Sequence, residues 1–421
     1  MFSDEIWLAA GLRTPFAAVD GAFAERNALE LSAPVAAAMK AQARGSIDFG
    51  VWGSVALTLG FANLSRDVWL EAGLDPHAPS FTTIMQCSTS MVGVFEAAGM
   101  LRAGGPSLAM VGGVESMSRI QFGLGQALSV FLRRFARRGW RDRLELIRTL
   151  SPKDIRLHVP QVANRITGRS MGEHTEEMAK HWAIGRAEQD ELALQSHRNA
   201  VAAQDAGFFD ELIIPLDGVL KDAFPRRDSS LEKLSKLEPA FDRTSGRGTL
   251  TAGNSSPLTD GAAAIWVATR EGLARLPDSV PRTKLVDYEM AAVDIFHEGL
   301  LMAPALAIPR VLARRGLRYE DIALWEIHEA FAAQVLCHIK ALEDRAYLKE
   351  KAGIDTDLGR FPRERMNPNG GSVALGHPFA ATGARILSQA VKELAAMGPG
   401  ARAIVSICAD GGQGTVALLE N

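Results

Sequence analysis

The fold of this chain is decided by the stretch Ser80-Phe-Thr-Thr-Ile-Met-Gln-Cys-Ser-Thr-Ser90. Phe81 to Met85 is a short apolar and β-branched run, which predicts a buried strand. Apolar residues then recur at helical spacing from Met91 to Leu101, until Gly104-Gly105 ends the pattern. Cys87 therefore lies on a strand-to-helix turn. Unpaired N–H groups and the helix dipole favour a thiolate there, so we expect a depressed pKa and a nucleophile; the alternative is a small buried apolar side chain.

The composition is that of a globular protein with large buried sheets. The chain has 421 residues, of which 47% are hydrophobic and 23% charged, and its net charge is −3. A length of roughly 150 residues per domain predicts two or three units. The small net charge gives no electrostatic reason to expect a nucleic acid as partner.

The cysteines and the start of the chain predict a cytoplasmic protein. Cys87, Cys337 and Cys408 form no CxxC pair, which fits a reducing compartment. The segment Met1 to Ile6 lacks the basic and apolar pattern of a secretory signal. No uncharged run reaches the roughly 18 residues that a membrane span needs.

Alternating strands and helices divide the chain into two similar halves. Short apolar strands alternate with helical patterns from Ile6 to Val111 and again from Lys284 onward, which predicts mostly parallel sheets with helices on both faces. In each half a reactive residue opens a helix that runs into a strand and a Gly-Gly pair, a weak internal repeat. We predict an N-terminal half over 1–118 plus 251–280, an inserted loop domain over 119–250, and a C-terminal half over 281–421.

Two cysteines and two histidines lie at strand ends or helix starts, where α/β sheets present chemistry. They are Cys87, His328, His377 and Cys408. A thiol nucleophile needs a base within hydrogen-bond reach, which His377 would supply, and acyl transfer needs donors for a developing oxyanion. A second thiol at Cys408 would move a proton to or from a carbon acid or a sulfur.

Two other motifs point to chemistry that we reject. Gly411-Gly-Gln-Gly414 is followed by a β-rich segment, whereas a dinucleotide loop must open a helix. His328-Glu329 starts like a zinc-protease helix, but Ala332 stands where the second histidine is required. Since the sequence offers no other ligand cluster, we expect no metal.

Seven motifs together give the chain a family resemblance. It resembles a thiolase, an acetyl-CoA acyltransferase, and the motifs occur in that family's order across nearly the whole chain. The resemblance implies an α/β fold of two βαβαβαββ halves in five αβαβα layers. It also implies ping-pong thiolysis of 3-ketoacyl-CoA by CoA to acyl-CoA and acetyl-CoA, or the reverse condensation, in fatty-acid β-oxidation and without a permanently bound cofactor. The motifs are the Cys87 turn, Gly112-Gly-Val-Glu-Ser-Met117, Thr251-Ala-Gly-Asn-Ser-Ser256, Asp260-Gly-Ala-Ala-Ala264, His328-Glu-Ala-Phe331, Asn367 to Pro378 and Cys408 to Gly414.

The resemblance also implies roles for single residues. Cys87 would carry the acyl group as a thioester, with His377 as its general base. Cys408 would act as acid and base at the α-carbon of acetyl-CoA, and His328 would help to form an oxyanion site. Asp410 departs from the glycine of many relatives. Five residues would contact CoA by their motif positions, or else be ordinary core or surface residues: Met171, Arg226, Phe241, Ser256 and Phe331.

The inserted segment carries a basic stretch from Gln121 to Arg148. Its apolar residues fall on one face of a predicted helix, and seven arginines lie between positions 133 and 148. Such a helix is typical of an anionic membrane contact or a partner contact, although a solvated face or a subunit contact gives the same pattern. The insertion and His328 are most similar to the thiolase subunit of fatty-acid trifunctional complexes. That implies a membrane or a hydratase/dehydrogenase partner, beside a homodimer or homotetramer.

Three alternatives stay open. A short-chain biosynthetic acetoacetyl-CoA thiolase would share these residues. A decarboxylating ketoacyl synthase would lack a second catalytic cysteine, so Cys408 argues against it. A non-catalytic CoA- or lipid-binding relative is expected to have lost Cys87, His377 or Cys408, and this chain keeps all three.

Overall fold

A computed structural model describes residues 5–56, 58–158 and 163–421 of the chain. The expectation about its first residues, Met1 to Asp4, lies outside these ranges. The strands are β1 (Trp7–Ala9), β2 (Ala17–Ala18), β3 (Phe49–Gly53), β4 (Ser80–Thr82), β5 (Leu108–Glu115), β6 (Gly123–Leu124), β7 (Leu157–His158), β8 (Thr259–Ala268), β9 (Arg282–Ala292), β10 (Leu324–Ile327), β11 (Arg402–Ala409) and β12 (Gln413–Glu420). The α-helices are α1 (Ala28–Gln42), α2 (Leu64–Glu71), α3 (Thr89–Arg102), α4 (Gln126–Ala136), α5 (Trp140–Arg148), α6 (Met171–His181), α7 (Arg186–Asp205), α8 (Leu231–Ser235), α9 (Arg270–Leu273), α10 (Ala303–Arg315), α11 (Ala332–Glu343), α12 (Arg345–Tyr347), α13 (Ser372–Leu375) and α14 (Thr382–Ala395).

Two half-sheets of the same design join into one continuous sheet. The order is β10-β11-β12-β9-β1-β8-β5-β3-β4, with β2 beside β8. Counted outward from the β1–β9 junction, each half has two antiparallel pairings and then a parallel one. Beyond these, β4 pairs with β3, and a parallel bridge between Trp325 and Met366 lies at the matching place. The internal repeat predicted from the sequence is therefore present in the topology, while the domain boundaries stay predictions.

Three helical layers enclose the half-sheets. Helices α1 and α2 pack on the outer face of the N-terminal half-sheet, where Leu31 and Val68 share a cluster with Trp266. Helices α3 and α14 lie between the half-sheets, because Val94 and Ile386 share a cluster with strand residues of both halves. Helices α10 and α11 cover the outer face of the C-terminal half-sheet. Each large apolar side chain buried in this way contributes about 1.5–3 kcal/mol. The expected αβαβα arrangement is confirmed.

The two central helices approach each other closely. They meet at Gly383, where a Cβ atom would lie only 2.5 Å from the backbone of α3. Across the same contact, Ala384 N donates a hydrogen bond of 2.8 Å to Ser90 Oγ. Cys87 directly precedes α3, and His377 precedes α14. The helix contact therefore brings together two residues that are 290 positions apart in the chain.

The strand before Cys87 is shorter and more exposed than predicted. Strand β4 covers only Ser80–Thr82, and its residues are partly exposed because it is the edge strand of its half-sheet. The chain then enters a 3-10 turn, Gln86–Ser88, directly before α3. The strand-to-helix turn at Cys87 is thus present, whereas the prediction of a buried strand over Phe81 to Met85 is wrong.

The basic stretch of the insertion forms two helices where the sequence predicts one amphipathic helix. Helix α4 ends at Ala136 and α5 begins after Gly139, since glycine interrupts the helical pattern. Neither helix buries a side chain within the described part of the chain, and Trp140 and Leu144 are 67% and 54% exposed. Strands β6 and β7 pair at the base of this α4–α5 pair. None of the described helices has the length and apolar character needed to cross a bilayer.

Candidate active site

Cys87 is held on a strained turn. Gln86 before it has φ +44°, in the left-handed region that residues other than glycine rarely adopt. The Thr89 hydroxyl fixes this conformation, because it accepts a hydrogen bond from Met85 N at 2.9 Å and donates one to Gln86 O at 2.7 Å. The turn presents the Cys87 thiol to a mostly apolar cavity of about 200 Å³.

The thiol of Cys87 is not the thiolate that its place at a helix start predicts. Burial first, and then the charges of Cys408 and Asp410, raise the pKa of Cys87 well above its ordinary value. Removing a charged group from water disfavours the charged form, and here this effect exceeds that of the helix dipole. The expectation of a depressed pKa is therefore wrong, and Cys87 needs a base to become a nucleophile.

His377 is placed to be that base. Its Nε2 lies 3.1 Å from Cys87 Sγ, and its Nδ1 lies 2.6 Å from Thr382 Oγ1. The Thr382 hydroxyl donates its one proton to Pro378 O at 3.2 Å, so it accepts from Nδ1–H of His377. The Nε2 lone pair is thereby left for the Cys87 thiol. Burial and the Arg385 cation lower the pKa of His377 to about 3, which keeps the imidazole neutral.

His328 completes a cluster of three reactive groups. One nitrogen each of His328 and His377 and the sulfur of Cys87 lie within 4.8 Å of one another. His328 is fully buried, its Nδ1 lies 2.9 Å from Ser372 Oγ, and its Nε2 has no hydrogen-bond partner among the described residues. Three such atoms are also a donor set for a soft metal. The Cys87–His377 hydrogen bond is instead that of a nucleophile and its base, and the expectation of no metal stays a prediction.

Cys408 reaches the same place from the C-terminal half. It lies near the end of β11, buried in an apolar cluster with Met171, Phe241 and Phe331. The rings of Phe241 and Phe331 pack edge to face with centres 5.8 Å apart. Burial raises the pKa of Cys408 to about 12, so the resting thiol keeps its proton. Ser88, the residue after Cys87, donates a hydrogen bond of 3.4 Å from its hydroxyl to the carbonyl of Ile407, the residue before Cys408, so the two cysteines lie on adjacent segments.

Asp410 ties the turn after Cys408 to the inserted segment. Its Oδ1 accepts hydrogen bonds from Gly411 N at 2.6 Å and from Asn164 Nδ2 at 2.7 Å. The carboxylate also lines the Cys87 cavity, whose lining includes Ala163 from the same inserted loop. The departure from glycine therefore keeps the turn and adds a polar contact that glycine cannot make.

The five predicted CoA contacts do not all lie in one cavity. Met171 lines the Cys87 cavity, whereas Arg226 lines a neighbouring one of about 300 Å³. Ser256 lies between Ser255 and Pro257, which both line this second cavity. The structure thus distributes the five predicted residues over the Cys87 cavity, the Cys408 cluster and the second cavity.

Glu115 holds the wall of the Cys87 cavity and was missed among the predicted site residues. Its carboxylate accepts hydrogen bonds from Ser54 Oγ, Val55 N and Ala56 N in the cavity wall. It also accepts one from Ala380 N, three residues after His377. Burial raises the pKa of Glu115. Its place inside the Gly112 to Met117 motif was a usable signal.

Three hydroxyl residues that orient the imidazoles were missed as well. Thr382 and Ser372 contact His377 and His328 as described above, and Thr259 Oγ1 accepts a hydrogen bond of 2.7 Å from His377 N. Ser372 stands inside the Asn367 to Pro378 motif. Thr259 and Thr382 only adjoin motifs, so no sequence signal separates them from other threonines.

Comparisons with known proteins cover the whole chain. The thiolase N-terminal domain model matches residues 6–271, and the thiolase C-terminal domain model matches residues 279–421. A 3-ketoacyl-CoA thiolase of Pectobacterium carotovorum subsp. carotovorum is 37% identical, over 99% of this chain and 97% of that relative. The acetyl-CoA acetyltransferase of Syntrophomonas wolfei has a solved structure that matches all of both chains, with 31% identity and a TM-score of 0.81. The Acat5 thiolase of Ascaris suum, solved in complex with coenzyme A, is 27% identical over 99% of this chain and all of that one, with a TM-score of 0.79.

A nucleophilic cysteine with a histidine base is the chemistry of acyl transfer through a thioester, and on this fold it defines an acyltransferase. The two family models match both halves of the chain, and relatives above 30% identity match its whole length. These matches identify one family within the acyltransferases. The chain belongs to the thiolase family. The family and fold expected from the motifs are confirmed, while the trifunctional-complex subtype stays a prediction.

Proposed function

We propose that this protein catalyses the CoA-dependent cleavage of 3-ketoacyl-CoA to acyl-CoA and acetyl-CoA, and the reverse condensation, in fatty-acid β-oxidation. The observation that carries the proposal is the 3.1 Å contact of His377 Nε2 with Cys87 Sγ, beside the unpartnered Nε2 of His328. The neutral imidazole of His377 faces the protonated thiol of Cys87, and Nε2 of His328 lies on the side where the carbon attacked by the sulfur would bind. The second thiol, Cys408, supplies the proton transfer that breaking a carbon–carbon bond requires.

In the first half-reaction, His377 takes the proton of Cys87 as the sulfur attacks the 3-keto carbon. The thiolate and the imidazolium form side by side, so their attraction offsets part of the cost of charging two buried groups. His328 stabilises the developing oxyanion. The bond between C2 and C3 then breaks, C2 takes the proton of Cys408, and acetyl-CoA leaves. Cys87 now carries the acyl group, and Cys408 is a thiolate.

In the second half-reaction, the Cys408 thiolate takes the proton of CoA. The CoA sulfur attacks the acyl carbon, Cys87 leaves as a thiolate, and the His377 imidazolium returns its proton. Both thiols and both imidazoles are thereby restored, and the net reaction consumes one 3-ketoacyl-CoA and one CoA. The raised pKa of Cys408 suits this cycle because the thiol is the resting form that the first half-reaction needs.

The second cavity supports CoA as the substrate carrier. Arg226 lines it, beside Lys233 in a 2.6 Å ion pair with Asp228, and a guanidinium suits the phosphates of a nucleotide. Ser256 N donates a hydrogen bond of 3.0 Å to Ala330 O, so this cavity borders the motif that carries His328. We propose that Arg226 and Ser256 contact CoA from this side, and that Met171, Phe241 and Phe331 enclose its thiol arm near Cys408.

The Cys87 cavity favours acyl chains longer than acetyl. Its 200 Å³ exceeds what two carbons require, and Val55, Met117, Ile120 and Phe379 give it an apolar wall. Turnover measured across a series of 3-ketoacyl-CoA lengths distinguishes this prediction from the short-chain biosynthetic alternative. Highest kcat/KM on acetoacetyl-CoA would favour that alternative.

The reaction is tested through the acyl intermediate. Brief exposure to acetyl-CoA should place an acetyl group on Cys87, detected by mass spectrometry, and acetoacetyl-CoA plus CoA should lose its enolate absorbance. Cys87→Ser should abolish both signals. Cys337→Ser is the matched control, since Cys337 is buried within α11 and is not among the residues that line the Cys87 cavity. An intact Cys87 without an adduct, or turnover by Cys87→Ser, would refute the proposal.

We further propose that the α4–α5 pair contacts an anionic membrane or a hydratase/dehydrogenase subunit, and that the protein is a cytoplasmic homodimer or homotetramer. The pair leaves Leu132, Trp140, Leu144 and Ile147 exposed beside its arginines. Flotation with anionic but not neutral vesicles supports the membrane. Binding to neither, together with capture of a purified hydratase/dehydrogenase subunit, supports the partner. Light scattering after gel filtration gives the number of subunits.

A further inference from the structure

A buried chain of hydrogen bonds runs from His328 to a cation. Arg385 Nη2 donates to Ser372 Oγ at 2.7 Å, and Ser372 Oγ lies 2.9 Å from His328 Nδ1. All three residues are at most 2% exposed. Within the described residues, the Ser372 hydroxyl has these two partners, so they decide how its proton is placed.

Proton counting gives each hydrogen bond a direction. A guanidinium only donates, so Ser372 Oγ accepts from Arg385. A proton on Nδ1 of His328 would leave two buried groups unpaired, the Ser372 hydroxyl proton and the Nε2 lone pair. A proton on Nε2 lets the hydroxyl donate to Nδ1 and leaves only Nε2–H unpaired. The second arrangement has the lower free energy, because each buried polar group without a partner loses its hydrogen bonds to water and gains none in the protein.

The counter-charge of Arg385 does not compete for the serine proton. Arg385 Nη1 donates to Gln389 Oε1 at 3.4 Å, and Gln389 Nε2 lies 3.3 Å from both carboxylate oxygens of Glu326. The carboxylate is thus reached through Gln389. No carboxylate contacts Ser372 in the described part of the structure, so its hydroxyl is free to donate to His328.

We propose that Ser372 and Arg385 are positioning residues that hold His328 as its Nε2–H tautomer, so that it presents a donor to the oxyanion. The inference rests on the proposed function, since an oxyanion forms only during acyl transfer. An imidazole needs such control because its two nitrogens exchange donor and acceptor roles, whereas an amide side chain has a fixed donor. The unpartnered Nε2 of His328 is the atom that a carbonyl oxygen would contact.

The tautomer is measured directly. In protein containing isotope-labelled histidine, solid-state NMR separates protonated from unprotonated ring nitrogens, and the His328 signals are those that vanish in His328→Ala. We expect Nε2 protonated and Nδ1 unprotonated in the wild type, and a mixture of both tautomers in Ser372→Ala. A proton on Nδ1 in the wild type, or an unchanged tautomer in Ser372→Ala, would overturn the proposal.

Kinetics separate positioning from a merely structural role. Outright loss of an oxyanion donor costs about 10²–10³ in kcat, so Ser372→Ala should lower kcat about ten-fold and leave KM nearly unchanged. In a His328→Ala background the same change should have no effect. Ser406→Ala is the matched control, because Ser406 Oγ is buried with no hydrogen-bond partner among the residues that the structure describes, and the Ser406 carbonyl accepts from His328 N.

The outcomes distinguish this inference from the proposed function. An equal loss from Ser372→Ala with and without the imidazole would refute the positioning role and leave wild-type thiolysis intact. Absent turnover in the wild type would instead refute the proposed function, while the NMR result on the free protein would still report the tautomer. Arg385→Met provides a second variant if Ser372→Ala does not fold; it removes the donor to Ser372 Oγ, so it should likewise mix the tautomers.

Discussion

Replacing Thr382 with valine tests whether the base at Cys87 depends on one hydroxyl. Valine keeps the branched shape in a fully buried position but cannot accept the hydrogen bond from His377 Nδ1. That bond contributes about 0.5–1.5 kcal/mol to a neutral ring and about 1.5–3 kcal/mol to an imidazolium. The difference between the midpoints of these ranges, about 1.25 kcal/mol, is lost only when His377 takes the proton, and it corresponds to a nearly ten-fold slower reaction.

Rapid-quench mass spectrometry of Cys87 during exposure to acetyl-CoA measures this rate. Thr382→Ser is the matched control because it keeps the hydroxyl and loses only a methyl group. We expect the serine variant to acetylate Cys87 near the wild-type rate and the valine variant about ten-fold more slowly. If the valine variant acetylated Cys87 at the wild-type rate, or if both variants were slowed equally, the hydroxyl would not orient the base.

Three further predictions follow from the same contacts. Cys408→Ser should slow thiolysis by about 10²–10⁴ and slow acetylation of Cys87 much less, because Cys408 protonates a carbon in thiolysis but only the CoA sulfur in acetylation; equal losses in both steps would contradict this. Glu115→Gln replaces one of the two accepting oxygens by an NH₂ group, which would face a backbone N–H as a second donor. The free energy of unfolding measured by chemical denaturation should therefore fall by about 1–3 kcal/mol, and an unchanged value would contradict this prediction. Burial lowers the pKa of His338 to about 4 and that of His377 to about 3, so the unfolded state binds protons that the folded state does not. These two histidines should therefore lower the stability as the pH drops from about 6.5 toward 4, against the opposite contribution of Glu393, whose pKa burial raises to about 7. In chemical denaturation, the change in stability from pH 7 to pH 5 should be less favourable for the wild type than for His338→Gln, and equal changes would contradict this.

The sequence predicted the layers and the reactive residues better than the details that depend on burial. Apolar periodicity and glycine breaks placed the helix after Cys87 and the repeat of the two halves. The sequence analysis overestimated the length and burial of β4, because a β-branched run has the same residue pattern in an edge strand as in a central strand. The pKa of Cys87 was wrong because local position shows the helix dipole but not the desolvation. Thr259 and Thr382 could not be predicted, since their contacts with His377 depend on how the two halves pack.

The pairing of β1 with β9 joins the two halves of the protein directly. Cys87 comes from one half, and the other half supplies His377, His328 and Cys408. The two halves are held together by antiparallel backbone pairing of Trp7–Ala9 with residues 282–284. Rotating the halves apart would break that ladder and split the helices α3 and α14, which pack on both half-sheets. The catalytic groups are therefore preassembled before any ligand arrives. Ala163 and Met171 of the inserted segment line the cavity into which the substrate would bind, so a substitution there should affect binding without disturbing the joined half-sheets.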